Sequence, residues 1–191
     1  MTRLRAALTA VALLATVLLT GCSQGAPNTA AVVNGVVINE STVENEAAVM
    51  PTITDSTTSV PYTPQEIRDI VLRYSVLGEL ARQVATQKSL SLGTLPTTAT
   101  DPESLALLAS PAGNSLLQDA YAWASLRKQL TTTDASTNLT DTSALQAALM
   151  SESVLLNPRY GTWDVAAAVS NARVSSTTGS MSDLSKQLVT R

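Results

Sequence analysis

The sequence predicts a single, mainly helical α+β domain with a small antiparallel sheet, and three observations carry that expectation. The dipeptide Asn34-Gly35 stands between Val32-Val33 and Val36-Val37-Ile38. Asn-Gly between β-branched runs is the strongest short hairpin signal, because a type I′ turn needs positive φ at both central residues. From Thr63 onward, apolar residues recur at helical spacing and are punctuated by Ser/Thr-Pro starts. Near the C-terminus the period changes at Asn157-Pro158-Arg159-Tyr160-Gly161-Thr162-Trp163-Asp164, which cannot be helical through its proline.

Taken in chain order, Arg3 and Arg5 followed by the apolar run Ala6 to Leu19 read as a secretory signal, since the run is short for a membrane-spanning helix. Residues 1–21 are therefore set apart from the fold. Residues 22–30 are small and polar and read as a tether. The hairpin opens the domain, assigned to residues 31–170. Two strands so short are unstable alone and need a helix beneath them or a third strand beside them.

Ser41-Thr42-Val43-Glu44 has capping-box spacing, which predicts a short helix ending before Pro51. A polar connection, 52–62, leads to Thr63-Pro64-Gln65-Glu66, a second capping box with proline in the first turn. The long helix that follows keeps Ile67, Ile70, Val71, Tyr74, Leu77, Gly78, Ala81, Val84 and Ala85 on one face. Asp101-Pro102-Glu103 starts a short helix over Leu105 to Ala109, and Ser110-Pro111 starts a longer one from Ala112 to about Leu130. A helix from about Asp141 to Val154 comes next. Then an extended segment holds Tyr160 and Trp163, with a second short strand expected after Asp164. Residues 171–191 read as a flexible tail.

Composition narrows the chemistry. The chain has no histidine, which removes His-based acid–base catalysis, Ser-His-Asp and Cys-His constellations and the commonest transition-metal ligand. Its net charge of −3 becomes more negative once the signal arginines are gone, which argues against a nucleic-acid partner and against strong attraction to anionic lipid head groups. No cofactor and no metal are expected.

Leu19-Thr20-Gly21-Cys22 resembles the lipobox of bacterial lipoproteins. That resemblance implies lipidation of Cys22 after cleavage before it, and attachment to the extracytoplasmic face of the cytoplasmic membrane. Cys22 is the only cysteine, so the chain has no internal disulfide and attachment rests on the acyl chains.

The run Val32-Val33-Asn34-Gly35 with Ile38, then Ser41 and Val43, followed by a long amphipathic helix, resembles the N-terminal chaperone module of SurA-like and trigger-factor-like foldases. The block around Tyr160 and Trp163 resembles the C-terminal segment of actinobacterial lipoproteins of this type. In that family the N-terminal hairpin packs with a distant C-terminal segment and closes the helical module. The resemblance therefore implies pairing of the hairpin with residues around Tyr160 to Val169. The chain has no room for an inserted parvulin prolyl-isomerase domain, so only the chaperone module carries over.

The expected function is a non-catalytic, membrane-anchored chaperone or holdase whose partners are unfolded or partly folded exported proteins. The alternative is an adaptor or structural lipoprotein docking one envelope complex. Tyr74, Tyr121, Trp123, Arg159, Tyr160 and Trp163 are the candidate contacts, because aromatic residues and arginine are enriched where proteins bind each other. Core packing is the competing reading for the helical ones, and so is a structural seal for Tyr160 and Trp163, with Arg159 paired to an acid such as Asp164. An enzyme is kept in view by Ser125-Leu126-Arg127-Lys128 alone. It has S-x-x-K spacing, but no S-D-N or K-T-G follows.

Overall fold

A computed structural model describes residues 27–50, 61–95, 102–136 and 140–169. The expected signal, Cys22 and the tail at 171–191 lie outside the described residues. Strand β1 (Thr29–Val33) turns at Asn34-Gly35 into antiparallel β2 (Val36–Asn39). Asn34 has φ 46° and Gly35 φ 87°, the two positive values of a type I′ turn. The strand starts at Thr29, so the last residues assigned to the tether already belong to the sheet.

Helix α1 (Glu40–Val49) follows β2 without a loop. It begins ahead of the expected capping box at Ser41, with Asn39 as N-cap and no side-chain cap bond. The sheet sets this start: the Glu40 amide donates to Asn28 C=O at 2.8 Å, so an orphan donor of the first turn is already satisfied.

Helix α2 (Pro64–Lys88) starts with the expected capping box, Thr63 Oγ1 accepting from the Glu66 amide at 3.3 Å and Glu66 Oε2 accepting from the Thr63 amide at 2.6 Å. It is the spine of the domain. Beyond the expected stripe, Leu72, Val76 and Leu80 are buried as well, because α1, the sheet and later helices cover it on several sides.

Helix α3 (Pro102–Ala109) leads through Ser110 into α4 (Pro111–Leu130), whose cap is Ser110 Oγ accepting from the Gly113 amide at 2.9 Å. α4 lies along α2 at very short range. A Cβ at Gly78 would stand 2.5 Å from Asp119 Cβ and 2.6 Å from Asp119 Cα, so only glycine permits this approach. A small ribbon, β3 (Thr132–Thr133) with β4 (Thr140–Asp141), follows α4.

Helix α5 (Ser143–Met150) stops four residues before its expected end. The last residue of the expected helix, Val154, instead opens β5 (Val154–Leu156), which pairs antiparallel with β1 on the side opposite β2. The sheet order is β2-β1-β5, with Ala31 opposite Leu156 and Val33 opposite Val154.

A C-terminal segment thus closes the hairpin, as expected, but it is Val154–Leu156 and not the segment from Tyr160 to Val169. Two local features explain the displacement. Pro158 has no N–H for a ladder, and Asn157 Oδ1 caps a 3-10 turn over Pro158–Tyr160. Asp164 Oδ1 then accepts from the Ala166 amide at 2.8 Å and starts helix α6 (Val165–Val169), where a strand was expected. Three consecutive alanines favour that helix.

The closure is locked at its turn. Asn34 and Ser153 exchange bonds, Asn34 N–H to Ser153 C=O at 2.8 Å and Ser153 N–H to Asn34 Oδ1 at 2.7 Å. The Asn34 side-chain amide also donates to Gln83 on α2 and to Glu152. Asn34, chosen for its φ, thereby joins the hairpin, the central helix and the closing strand.

Candidate functional site

The end of α2 and the two helices after it enclose an open cavity of about 630 Å³, within the usual range of small-ligand sites. Ser89 leaves α2 in the left-handed region at φ 54°, and the Leu90 amide reaches back to Ala85 C=O at 2.8 Å. Gly93, at φ 70°, turns the chain again, and Gln129 Nε2 donates to Ser91 C=O at 2.8 Å, fixing this segment to α4. Leu92, Thr94 and Leu95 form one wall, Leu108 of α3 a second. The α3–α4 corner is as tight as the helix crossing: a Cβ at Gly113 would lie 2.4 Å from Leu107 C=O.

The third wall is one face of α4, where Asn114, Gln118, Tyr121 and Ala122 recur at helical spacing. Gln118 Nε2 donates to Asn114 Oδ1 at 2.5 Å.

Arg82 completes the lining, and its charge is already matched. Its Nη1 pairs with Asp119 Oδ1 at 2.6 Å and its Nη2 with Glu79 Oε2 at 3.1 Å. Behind this pair lies a polar seam between α1, α2 and α4. Asp119 is 7% exposed, and burial pushes its carboxyl up to about 6 against the pull of Arg82. Glu46, 2% exposed, is also raised by burial, with the Ser75 hydroxyl donating to it at 3.2 Å.

The residues singled out in the sequence are dispersed. Tyr74 and Trp123, each 6% exposed, belong to the core. Of the six, only Tyr121 lines the cavity. Arg159 and Tyr160 come together elsewhere, at the start of α1. Arg159 pairs with the buried Glu40, not with Asp164, and stands 5.0 Å from the Tyr160 ring centroid, while the Tyr160 hydroxyl donates to Glu40 Oε1. Trp163 is half-buried against the core. Ser125 Oγ accepts from Gln129 Nε2 at 3.4 Å, and Lys128 is exposed, so the S-x-x-K pair is not joined.

Comparison with protein-family models, curated proteins and solved structures returned no match. Among the described residues no helix is long and apolar enough to cross a membrane, and no group of His, Cys, Asp and Glu is placed to hold a metal ion.

The cavity residues Asn114, Gln118 and Thr94 were not singled out in the sequence. Their signal was present: Asn114, Gln118 and Tyr121 share a face at i, i+4 and i+7. A polar helix face ordinarily reads as solvated, and only the packing of the 89–95 segment and α3 makes a cavity of it.

Proposed function

We propose that this domain is a non-catalytic chaperone or holdase, anchored through Cys22 to the extracytoplasmic face of the cytoplasmic membrane, that holds exported proteins while they are unfolded or partly folded. The observation that carries this reading is the cavity. Its leucines offer apolar area, its uncharged amides and hydroxyls offer hydrogen bonds, and its arginine is matched by two carboxylates. A surface of that kind suits main chain and aliphatic side chains, which every unfolded client presents. The lipobox-like Leu19-Thr20-Gly21-Cys22 and the resemblance of the hairpin and long helix to SurA-like modules support the same reading.

A second reading, an adaptor for one envelope partner, is favoured by one feature of the same cavity. Its rim is built from hydrogen-bonding side chains on a packed helix, whereas promiscuous binders rely on flexible, Met-rich surfaces.

The test is suppression of aggregation of several unrelated denatured proteins by the lipid-free domain, beside a Gln118→Trp variant that fills the cavity from an exposed position. Protection of several clients, lost in the variant, supports the chaperone. Inertness toward all of them with one tight partner recovered from membranes supports the adaptor. Protection that the variant retains removes the cavity from either function.

A further inference from the structure

We infer that the cavity recognises the peptide backbone of an extended, uncharged segment about three residues long, and that the Asn114–Gln118 amide pair is its reader. This inference rests on the chaperone reading and names the ligand chemistry of the same site.

A side-chain amide has two N–H donors and one carbonyl acceptor. The bond from Gln118 Nε2 to Asn114 Oδ1 uses one Gln118 N–H and orients both groups. It leaves both Asn114 N–H groups and the second Gln118 N–H as donors, and Gln118 Oε1 as acceptor, for a ligand. Donors beside an acceptor complement one residue of an extended chain, whose own N–H and C=O point to the same edge.

Spacing agrees. From Asn114 to Tyr121 the helix rises about 10 Å at about 1.5 Å per residue, the length of about three extended residues. Tyr121, whose hydroxyl oxygen lies 3.6 Å from the position of a Cβ on Gly93, bounds that window.

Charge sets the other half of the specificity. Arg82 would be the natural partner of a ligand carboxylate, but Asp119 and Glu79 already hold it at 2.6 Å and 3.1 Å. An acidic side chain in the window would meet no free cation among the lining residues, and a basic one would meet the Arg82 guanidinium itself, since Asp119 and Glu79 do not line the cavity. Placing an unpaired charge there is unfavourable. Aliphatic side chains such as valine or leucine fit the apolar walls.

The experiment measures binding of fluorescent, N-acetylated and C-amidated peptides to the lipid-free domain by anisotropy. The parent is a five-residue Ala/Val/Leu peptide; its variants carry a central Asp, a central Lys or an N-methylated central amide. The inference expects the N-methyl peptide to bind about tenfold more weakly, a factor equal to one hydrogen bond at about 1.4 kcal/mol, and the Asp and Lys peptides to bind at least as weakly because each brings an unpaired charge. It also expects Gln118→Leu to bind parent and N-methyl peptide alike. Equal binding of parent and N-methyl peptide by the unaltered domain overturns it, and so does tighter binding of the Asp variant through Arg82. In either case, persisting suppression of aggregation leaves the chaperone reading standing. Absence of binding to every peptide together with absence of suppression ends both.

Discussion

Replacing Gly78 by alanine tests whether the contact between α2 and α4 is as close as described. Alanine is the better helix former by about 1 kcal/mol, so at an ordinary exposed position this change would stabilise the domain. Here the new methyl would stand 2.5 Å from Asp119 Cβ and 2.6 Å from its Cα, against 3.4–4 Å for ordinary contact. The obstacle is backbone, which cannot rotate aside, so the helices must part by roughly 0.8 Å. Overpacking of this kind costs about 1–3 kcal/mol. The separation also stretches the 2.6 Å pair between Arg82 and Asp119, which depends on the same crossing. The net expectation is a loss of about 2 kcal/mol, a fall in Tm of roughly 5–10 °C for a domain of this size. Thermal melts followed by circular dichroism and by Trp123 fluorescence give the number. A Gly78→Ala domain as stable as the parent, or more so, refutes the close crossing.

Three further outcomes are expected. Asp119 titrates near 6 when folded against an ordinary 3.8, so the folded state holds its proton more tightly. The resulting stability is full below about pH 4 and is lost as pH rises through about 6. Lowering pH from about 7.5 to 5 should therefore add about 1 kcal/mol, with Glu46 and Asp69, also raised by burial, acting in the same direction and the lowered Asp141 opposing them. Asp119→Asn should flatten the profile, and a Tm that falls over this interval would contradict the assignment. Asn34→Gly keeps the positive φ of the turn but removes the side-chain bonds to Ser153, Gln83 and Glu152; urea denaturation should show a loss of about 2 kcal/mol, at about 1 kcal/mol per bond with partial compensation by water. Tyr160→Phe deprives the buried Glu40, whose Oε2 has no partner among the described residues, of a donor at Oε1; the melt should drop by about 1–2 kcal/mol, and an unchanged melt would mean that Arg159 alone suffices.

The strongest local signals in the sequence were enough to place several elements. Asn34-Gly35 marks the turn because its conformation is dictated within two residues, and Thr63 to Glu66 marks the start of α2 because the capping box is complete within four. Closure of the hairpin by a C-terminal strand was also legible. The identity of that strand was not, because Val154-Leu155-Leu156 continues the apolar pattern of α5 and extended geometry is selected by distant partners, the ladder with β1 and the exchange of bonds between Asn34 and Ser153. The start of α1 was misplaced for a similar reason: a capping box at Ser41 competes with the amide bond to Asn28, and the sheet wins. The cavity and the Asp119–Arg82 pair depend on helices meeting at Gly78, a contact with no signature in either helix alone.

The placement of β1 between β2 and β5 has a consequence for the order of assembly. Its first neighbour arrives within a few residues, while its second lies beyond helices α1 to α5. A chain threaded from its N-terminus therefore presents the middle of its sheet first and the strand that covers it nearly last. During that interval one edge of a very apolar strand stands open, and open edges invite pairing with other chains. Folding should be paced by this late, long-range pairing and not by the fast local helices. A chain halted before Val154 would carry every helix of the cavity and still leave its central strand half-dressed.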